Sequence, residues 1–203
     1  MLTGAGRAFC AGDDLKHEHD GDAASARRFV GEIQRATREI VLGDTIVIGA
    51  VNGWAVGGGF EWAVCCDLPI WAETAKGFFP EMRFGAFVTG AVTAILPNLV
   101  GLAGAKEMIL FGEQYTAWEL EELGVAWRVV ADAELMSEAQ TVAARVAELP
   151  KRSVTDLKRV MGKAAFGGIE CALEEETEAT VRSFLDPETI ERMAAFARGE
   201  ESG

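Results

Sequence analysis

A run of three glycines followed closely by a glutamate is the most chemically informative part of this sequence. The stretch from Val51 to Asp67 reads VNGWAVGGGFEWAVCCD. It predicts an apolar strand that becomes a helix at residues 57–59, where a bare backbone lets a ligand oxygen approach the main-chain N–H groups. Glu61 stands about one helical turn after Gly58, so both can face one pocket. The alternative is a simple corner with a solvated first-turn acid, which the helix dipole also favours.

A second candidate acid, Glu81, follows Pro80 in the apolar segment KGFFPEMRF of residues 76–84. Apolar neighbours leave a carboxylate poorly solvated, and desolvation raises its pKa toward neutrality. A group with such a pKa can both give and accept protons. The alternative, which the local sequence leaves open, is a Glu81 that faces water at a turn.

A second small-residue loop, Ala11-Gly12-Asp13, lies in the segment AFCAGDDL. Its N–H groups can supply a donor that acts together with Gly58, and two separate loops are the usual way to build a two-donor oxyanion hole. The preceding Gly4 and Gly6 resemble a dinucleotide-binding loop. Only three residues precede Gly4, however, and no helix with a third small residue follows, so this interpretation is disfavoured.

No metal site is expected from the histidines and cysteines. His17 and His19 lie among acids in DLKHEHD, but ligands at this spacing need a strand, and such a polar run predicts a solvated loop or lid. The four cysteines show no metal-finger spacing, and no secretory leader is recognisable. We therefore expect free thiols and a reducing, cytoplasmic setting.

Composition limits the class of protein. The chain has 203 residues, of which 49% are hydrophobic, which is enough for one sizeable domain. Its formal net charge is −13, and no basic block occurs along it. This charge argues against nucleic-acid binding, which requires clustered lysine and arginine to contact phosphates.

One uncharged stretch, Phe84–Ala105, has the length of a membrane span. It contains Pro97 and several glycines, which end helices. We therefore expect two short buried helices separated at Pro97–Gly104, the first capped by Thr89, and no membrane partner.

Periodicity and cap residues predict a mixed α/β region over residues 1–131 and a helical region over residues 132–203. The predicted elements are a helix at Ala23–Leu42, strands at Thr45–Val51, Asp67–Trp71 and Val125–Val130, a capped helix from Thr116 to Gly124, and tail helices at Ala133–Leu149, Ser153–Phe166, Ile169–Leu185 and from Asp186 onward. Pro69 indicates that its strand lies at an edge or is irregular.

Taken together, AFCAGDDL, VNGWAVGGGFEWAVCCDL, FFPE, LGVAWRVV and the terminal helices resemble the crotonase family of enoyl-CoA hydratases and isomerases. The resemblance covers essentially the whole chain. Family members normally begin with a further β-rich unit, which is missing before Met1. It implies an α/β fold, a spiral of ββα units over residues 1–131, with a C-terminal helical trimerisation region over residues 132–203. The implied assembly is a homotrimer or a hexamer.

The resemblance also implies functions for individual residues. The backbone N–H groups of Asp13 and Gly58 hold the acyl-CoA thioester oxygen, Glu61 activates water, and Glu81 supplies the proton to C2. No cofactor is implied, because the CoA thioester is itself the substrate. Further implied substrate-binding positions are Ala11, Asp14, Leu15, Lys16 and Gly57. Among these, Lys16 is expected to face the CoA phosphates.

Two alternatives to the hydratase remain open at this stage. A double-bond isomerase on the same scaffold needs only one of the two glutamates. A catalytically weakened binding or scaffold subunit needs neither. The segment MRFGAFVTGAVTAIL after Glu81 also differs from the P-G-A-G-G-T motif that is commoner in this family, which leaves the acyl specificity undetermined.

Overall fold

The computed structural model describes residues 1–14 and 22–198. The strands are β1 (Leu2–Thr3), β2 (Ala8–Cys10), β3 (Ile48–Val51), β4 (Trp54–Val56), β5 (Leu68–Ala72), β6 (Lys76–Phe78), β7 (Tyr115–Thr116) and β8 (Arg128–Val130). The α-helices are α1 (Ala23–Leu42), α2 (Gly58–Cys65), α3 (Glu81–Phe84), α4 (Val92–Phe111), α5 (Ala117–Glu122), α6 (Leu135–Ala147), α7 (Lys151–Ala165), α8 (Ile169–Phe184) and α9 (Pro187–Ala197).

The strands form two four-stranded sheets, with the orders β1-β3-β5-β8 and β2-β4-β6-β7. Each of the first three strand pairs gives its first strand to one sheet and its second strand to the other, and a helix follows each pair. All neighbouring strands are parallel except β6 and β7. This repeated ββα arrangement, followed by helices, confirms the predicted α/β fold.

Local signals in the sequence located several helices correctly. α1 occupies the predicted residues, and the side chain of Asp22 caps it by accepting from two backbone N–H groups. α5 begins with the predicted capping box, in which Thr116 and Glu119 satisfy each other's backbone N–H groups. Asp186 caps α9. The caps at Thr116 and Asp186 act within a few residues along the chain, which is why the sequence alone reveals them.

The prediction that Pro69 marks an edge or irregular strand is wrong. β5 lies inside its sheet between β3 and β8, with Pro69 opposite Gly49 of β3. The carbonyl of Pro69 accepts from the N–H of Trp127. In a strand the nitrogen and carbonyl of one residue point to the same side, so the proline nitrogen also faces β8. On that side the paired residues begin only at Ile70. The missing N–H therefore falls before the β5–β8 ladder starts, and an interior strand tolerates the proline.

Among residues 1–14 and 22–198, α4 is the one helix with the length and composition of a membrane span. Its backbone is non-helical at Gly101 (φ 75°, ψ 162°), within the predicted break, although Pro97 itself lies inside the helix. The expectation that both parts are buried is only partly right. Buried and exposed side chains alternate along α4: Val92, Ile95, Leu96, Ala105 and Met108 are buried, whereas Leu99, Leu102, Leu110 and Phe111 are exposed.

Candidate active site

Three parallel strands of one sheet end at the candidate site. β4 lies between β2 and β6, with Cys10 opposite Ala55 and Val56 opposite Phe78. The chain segments that follow these strands therefore emerge at the same edge of the sheet, as ligand-binding loops commonly do in parallel sheets. They are the loop of residues 11–14, the turn into α2 at residues 57–58, and the turn into α3 at residues 79–81.

The first two segments touch through glycines. A Cβ atom on Gly12, which has a φ of +84°, would lie 2.8 Å from the carbonyl oxygen of Val56. A Cβ atom on Gly59 would lie 2.1 Å from the carbonyl oxygen of Cys10. α2 begins at Gly58, and the first-turn N–H groups of a helix have no partner inside the helix. The structure thus brings Asp13 and Gly58, the two predicted donor positions, into adjacent loops.

Glu61 is buried in the first turn of α2, with 1% of its surface exposed. Its Oε1 accepts from the N–H of Thr89 at 2.8 Å, and its Oε2 accepts from the Thr89 hydroxyl at 2.9 Å. Burial raises the pKa of Glu61 well above its usual range, the nearby Glu81 raises it further, and the bonds from Thr89 oppose this rise. The solvated first-turn acid weighed from the sequence is therefore excluded.

Glu81 opens α3 close to Gly57. A Cβ atom on Gly57, which has φ 54° and ψ −126°, would lie 2.6 Å from Oε1 of Glu81. The other oxygen, Oε2, is buried and has no hydrogen-bond partner in the described part of the chain. Phe79 anchors the turn before α3, because its ring packs at a tilt of 40° against Phe60 of α2, with centroids 4.6 Å apart. Burial raises the pKa of Glu81 to about 8, the direction expected from its apolar neighbours.

Asp13 adds a third carboxylate that the sequence interpretation did not use. Its Oδ1 would lie 3.9 Å from a Cβ atom on Gly58, and its charge contributes to the raised pKa of Glu81. The sequence indicated only the backbone N–H of this residue. The structure therefore gives Asp13 an electrostatic influence on Glu81.

Thr89 and Glu176 are further residues that the sequence analysis did not assign to the site. Thr89 does not cap α4 as predicted. The helix begins after Ala91, a non-glycine residue with a φ of 62°, and Glu176 of α8 supplies the acceptors. Glu176 accepts from the N–H of Ala91 at 2.8 Å and from the N–H and hydroxyl of Thr93 at 3.0 and 2.6 Å. Small residues 89–91 before a helix offered a weak local signal, whereas Glu176 is remote in sequence and offered none.

The remaining predicted site positions are described only in part. Ala11 and Asp14 lie in the exposed loop after β2, beside Asp13. Leu15 and Lys16, predicted to bind substrate, and His17 and His19 lie outside the described residues. Within residues 1–14 and 22–198, no group of three histidine, cysteine, aspartate or glutamate side chains is arranged to hold a metal ion.

Comparison with known proteins identifies the family. The family profile described as enoyl-CoA hydratase/isomerase matches residues 1–197. The chain belongs to this family. Crotonase-family relatives with curated descriptions include a putative enoyl-CoA hydratase/isomerase of Bacillus subtilis, 34% identical over 97% of this chain and 76% of the relative. A crotonyl-CoA hydratase of Syntrophomonas wolfei is 33% identical over the same shares of the two chains.

A solved structure shows the same crotonase fold. The crystal structure of an enoyl-CoA hydratase/isomerase from Mycobacterium paratuberculosis superposes with a TM-score of 0.85 and 32% identity, and the match covers 95% of this chain and 78% of that one.

Proposed function

We propose that this crotonase-family protein is an enoyl-CoA hydratase, which adds water across the double bond of a 2-enoyl-CoA thioester. The observation that carries the proposal is the contrast between two glutamates, the buried Glu61 and the half-buried Glu81. Glu61 accepts two hydrogen bonds from Thr89, whereas Oε2 of Glu81 has no partner among the described residues. Hydration needs such a pair, because one group takes a proton from water while the other gives a proton to carbon.

The two environments favour different protonation states. Two carboxyl groups in one buried site titrate as a pair, since ionising both together costs more than ionising one. Donors such as the Thr89 N–H and hydroxyl stabilise the ionised form and oppose the rise that burial causes in the pKa of Glu61, so we assign the negative charge of the pair to Glu61. Glu81 lacks such donors at Oε2 and lies near the charge of Asp13, so it keeps its proton up to a pKa of about 8.

The proposed reaction follows from these states. Ionised Glu61 takes a proton from water as the water oxygen bonds to C3 of the substrate. The electrons of the C2–C3 double bond move toward the thioester oxygen, whose developing charge the N–H groups of Gly58 and Asp13 stabilise. Each such donor is worth about 3 kcal/mol in oxyanion holes. Protonated Glu81 then gives its proton to C2, which leaves a 3-hydroxyacyl-CoA and reverses the charges of the two glutamates.

The direct test is an assay with two substrates. A hydratase removes the absorbance of crotonyl-CoA and forms the 3-hydroxy product, whereas an isomerase converts a 3-enoyl-CoA to its conjugated isomer. We expect crotonyl-CoA to be the better substrate by kcat/KM. Faster conversion of the 3-enoyl thioester would favour the isomerase, and thioester binding without turnover of either substrate would favour a scaffold subunit.

Hydration is expected to decline above about pH 8. The pKa of Glu81 is raised to about 8, and a proton donor works only in its protonated form, so kcat/KM falls as pH rises past this value. The measurement is kcat/KM for crotonyl-CoA between about pH 5 and about pH 10. The residual activity of Glu81→Gln should lack this alkaline limb. If the limb persists in that variant, it belongs to another group.

We also propose that the protein assembles as a homotrimer, alone or paired into a hexamer, through its C-terminal helices. α7 exposes Leu157, Val160 and Met161, which share one helical face by their spacing, and Leu185, Ile190 and Phe196 are exposed nearby in sequence. Exposed apolar clusters of this kind commonly mark interfaces. The partner proposed for this face is a second copy of the same chain.

The double variant Leu157→Glu, Met161→Glu is expected to dissociate the assembly in sedimentation velocity, because it places two charges on the apolar face. The matched control is Arg152→Glu, which changes the net charge of α7 by the same amount at an exposed position. We expect the control to sediment like the unmodified protein. A monomeric unmodified protein with full activity would contradict the proposed assembly.

A further inference from the structure

One residue holds both oxygens of Glu61. The N–H of Thr89 donates to Oε1 at 2.8 Å and its hydroxyl donates to Oε2 at 2.9 Å. Any residue except proline offers the N–H, but only threonine or serine offers a hydroxyl from this position. Thr89 is itself buried. The second hydrogen bond therefore depends on the identity of this side chain, unlike the first.

The backbone around Thr89 is fixed from several sides. The carbonyl of Thr89 accepts from Nε2 of Gln34 in α1, and the carbonyl of Gly90 accepts from Sγ of Cys65 in α2. A Cβ atom on Gly90 would lie 2.7 Å from both Cβ and Oε2 of Glu61. Glu176 holds the N–H of the next residue, Ala91. Thr89 thus meets Glu61 from a segment that is fixed by neighbouring helices.

We propose that Thr89 is a positioning residue whose hydroxyl fixes the second carboxylate oxygen of Glu61, so that this glutamate keeps one orientation in both of its protonation states. This inference rests on the proposed hydratase function. A hydroxyl donates to an ionised carboxylate and accepts from a protonated one, so the contact persists when Glu61 takes a proton from water. A backbone N–H can only donate. The hydroxyl also favours the ionised form of Glu61, the form that acts as the base.

The test is the pH dependence of hydration in Thr89→Val and Thr89→Ser. Valine has nearly the shape of threonine and keeps the N–H, but it loses the hydroxyl, so the acidic limb of kcat/KM should move up by about 1 pH unit. Below that limb the rate should fall about tenfold, while KM above it changes less than about twofold. Serine restores the hydroxyl and should restore the profile. An unchanged limb in the valine variant, or an equal shift in the serine variant, would overturn the proposal.

The matched control is Thr93→Val. Its hydroxyl also donates to a buried carboxylate, Glu176, at 2.6 Å. The charge of Glu176 raises the pKa of Glu61, and loss of this donor disfavours that charge, so any effect on the acidic limb runs downward, opposite to that of Thr89→Val. This variant should lower Tm without moving the acidic limb up. If it moves the limb as far as Thr89→Val does, the effect comes from general loosening of the segment, and the assignment to the Thr89 hydroxyl is wrong.

A titration separates this proposal from the proposed function. With ¹³C-labelled glutamate side chains, the Glu61 signal is assigned by its loss in Glu61→Gln, and its midpoint should lie at higher pH in Thr89→Val than in the unmodified protein. Thr89→Ala is the second variant if the valine variant does not fold. If the unmodified protein hydrates no enoyl thioester, the proposed function fails, yet the titration still decides the effect of Thr89. Identical titration in the two proteins would refute it.

Discussion

Replacing Glu61 by glutamine is expected to lower the turnover of crotonyl-CoA by about 10²- to 10⁴-fold, the usual contribution of a positioned acid–base group. Glutamine has the size of glutamate, and its carbonyl oxygen can still accept from the N–H of Thr89. It cannot take a proton from water. The affinity for the CoA thioester should stay within about tenfold, or about 1.4 kcal/mol, because the carboxylate acts mainly in the transition state.

The stability of Glu61→Gln should rise relative to the unmodified protein as pH increases. Folding raises the pKa of Glu61 from the ordinary 4.5, so between 4.5 and the raised value the unfolded chain loses a proton that the folded chain keeps, and above the raised value the accumulated cost stays constant. Each retained proton costs about 1.4 kcal/mol of folding stability per pH unit, and glutamine removes this cost. Thermal unfolding at pH 9 and at pH 4, each compared with the unmodified protein, measures the effect. An inactive variant that is also more stable at pH 9 cannot owe its inactivity to misfolding.

Glu176→Gln is the matched control for this experiment. Glu176 is also a buried carboxylate that accepts hydrogen bonds, but its partners are the N–H groups at the start of α4. We expect it to lower Tm and to change turnover by less than tenfold. Near-native turnover by Glu61→Gln would show that Glu61 is not the base.

The parts of the fold that rest on local chemistry were predictable from the sequence. The capping box at Thr116 and the cap at Asp186 involve residues within a few positions of each other. The glycines at residues 57–59 predicted that another group approaches the backbone closely there. In the structure, Cβ atoms at Gly57 and Gly59 would collide with neighbouring segments. Their spacing to Glu61 sufficed to place a carboxylate beside the glycines.

The parts that rest on contacts between distant segments were not predictable. The position of Pro69 depends on which strand pairs on each side of β5, and the start of α4 is capped by Glu176 from a helix some 85 positions along the chain. The sequence predicts Thr89 as a cap because its neighbours in sequence begin a helix. Its actual partner, Glu61, lies 28 positions earlier, and the sequence carried no pattern that linked the two.

The exchange Gly59→Ala is expected to abolish hydration almost completely. The added Cβ atom would lie 2.1 Å from the carbonyl oxygen of Cys10 and 2.7 Å from its carbonyl carbon and its Cβ atom. These are mostly backbone atoms of the segment that leads into the loop of Asp13, so the clash is relieved only by moving that loop away from Gly58. Losing one oxyanion donor costs about 10²- to 10³-fold in kcat, and this change misaligns both.

Gly31→Ala in α1 is the matched control, because it is the same exchange in a helix. A Cβ atom on Gly31 has nothing within 4 Å, and alanine stabilises an exposed helix by about 0.5–1 kcal/mol relative to glycine.

A second variant, Gly58→Ala, replaces a glycine at the site without creating a clash. Its Cβ atom would lie 3.9 Å from Oδ1 of Asp13 and 4.0 Å from Oε2 of Glu61, which are ordinary contacts, so its Tm should change little.

The two site variants therefore distinguish two functions of the glycine run. If Gly59→Ala loses both Tm and activity while Gly58→Ala keeps its Tm, Gly59 serves to bring the two donor loops together. Any activity that Gly58→Ala loses then reports crowding of the substrate at the donor, since the N–H of residue 58 remains. Turnover close to native in Gly59→Ala, measured on protein whose circular dichroism shows it folded, would mean that the loops after β2 and β4 do not form a shared oxyanion hole.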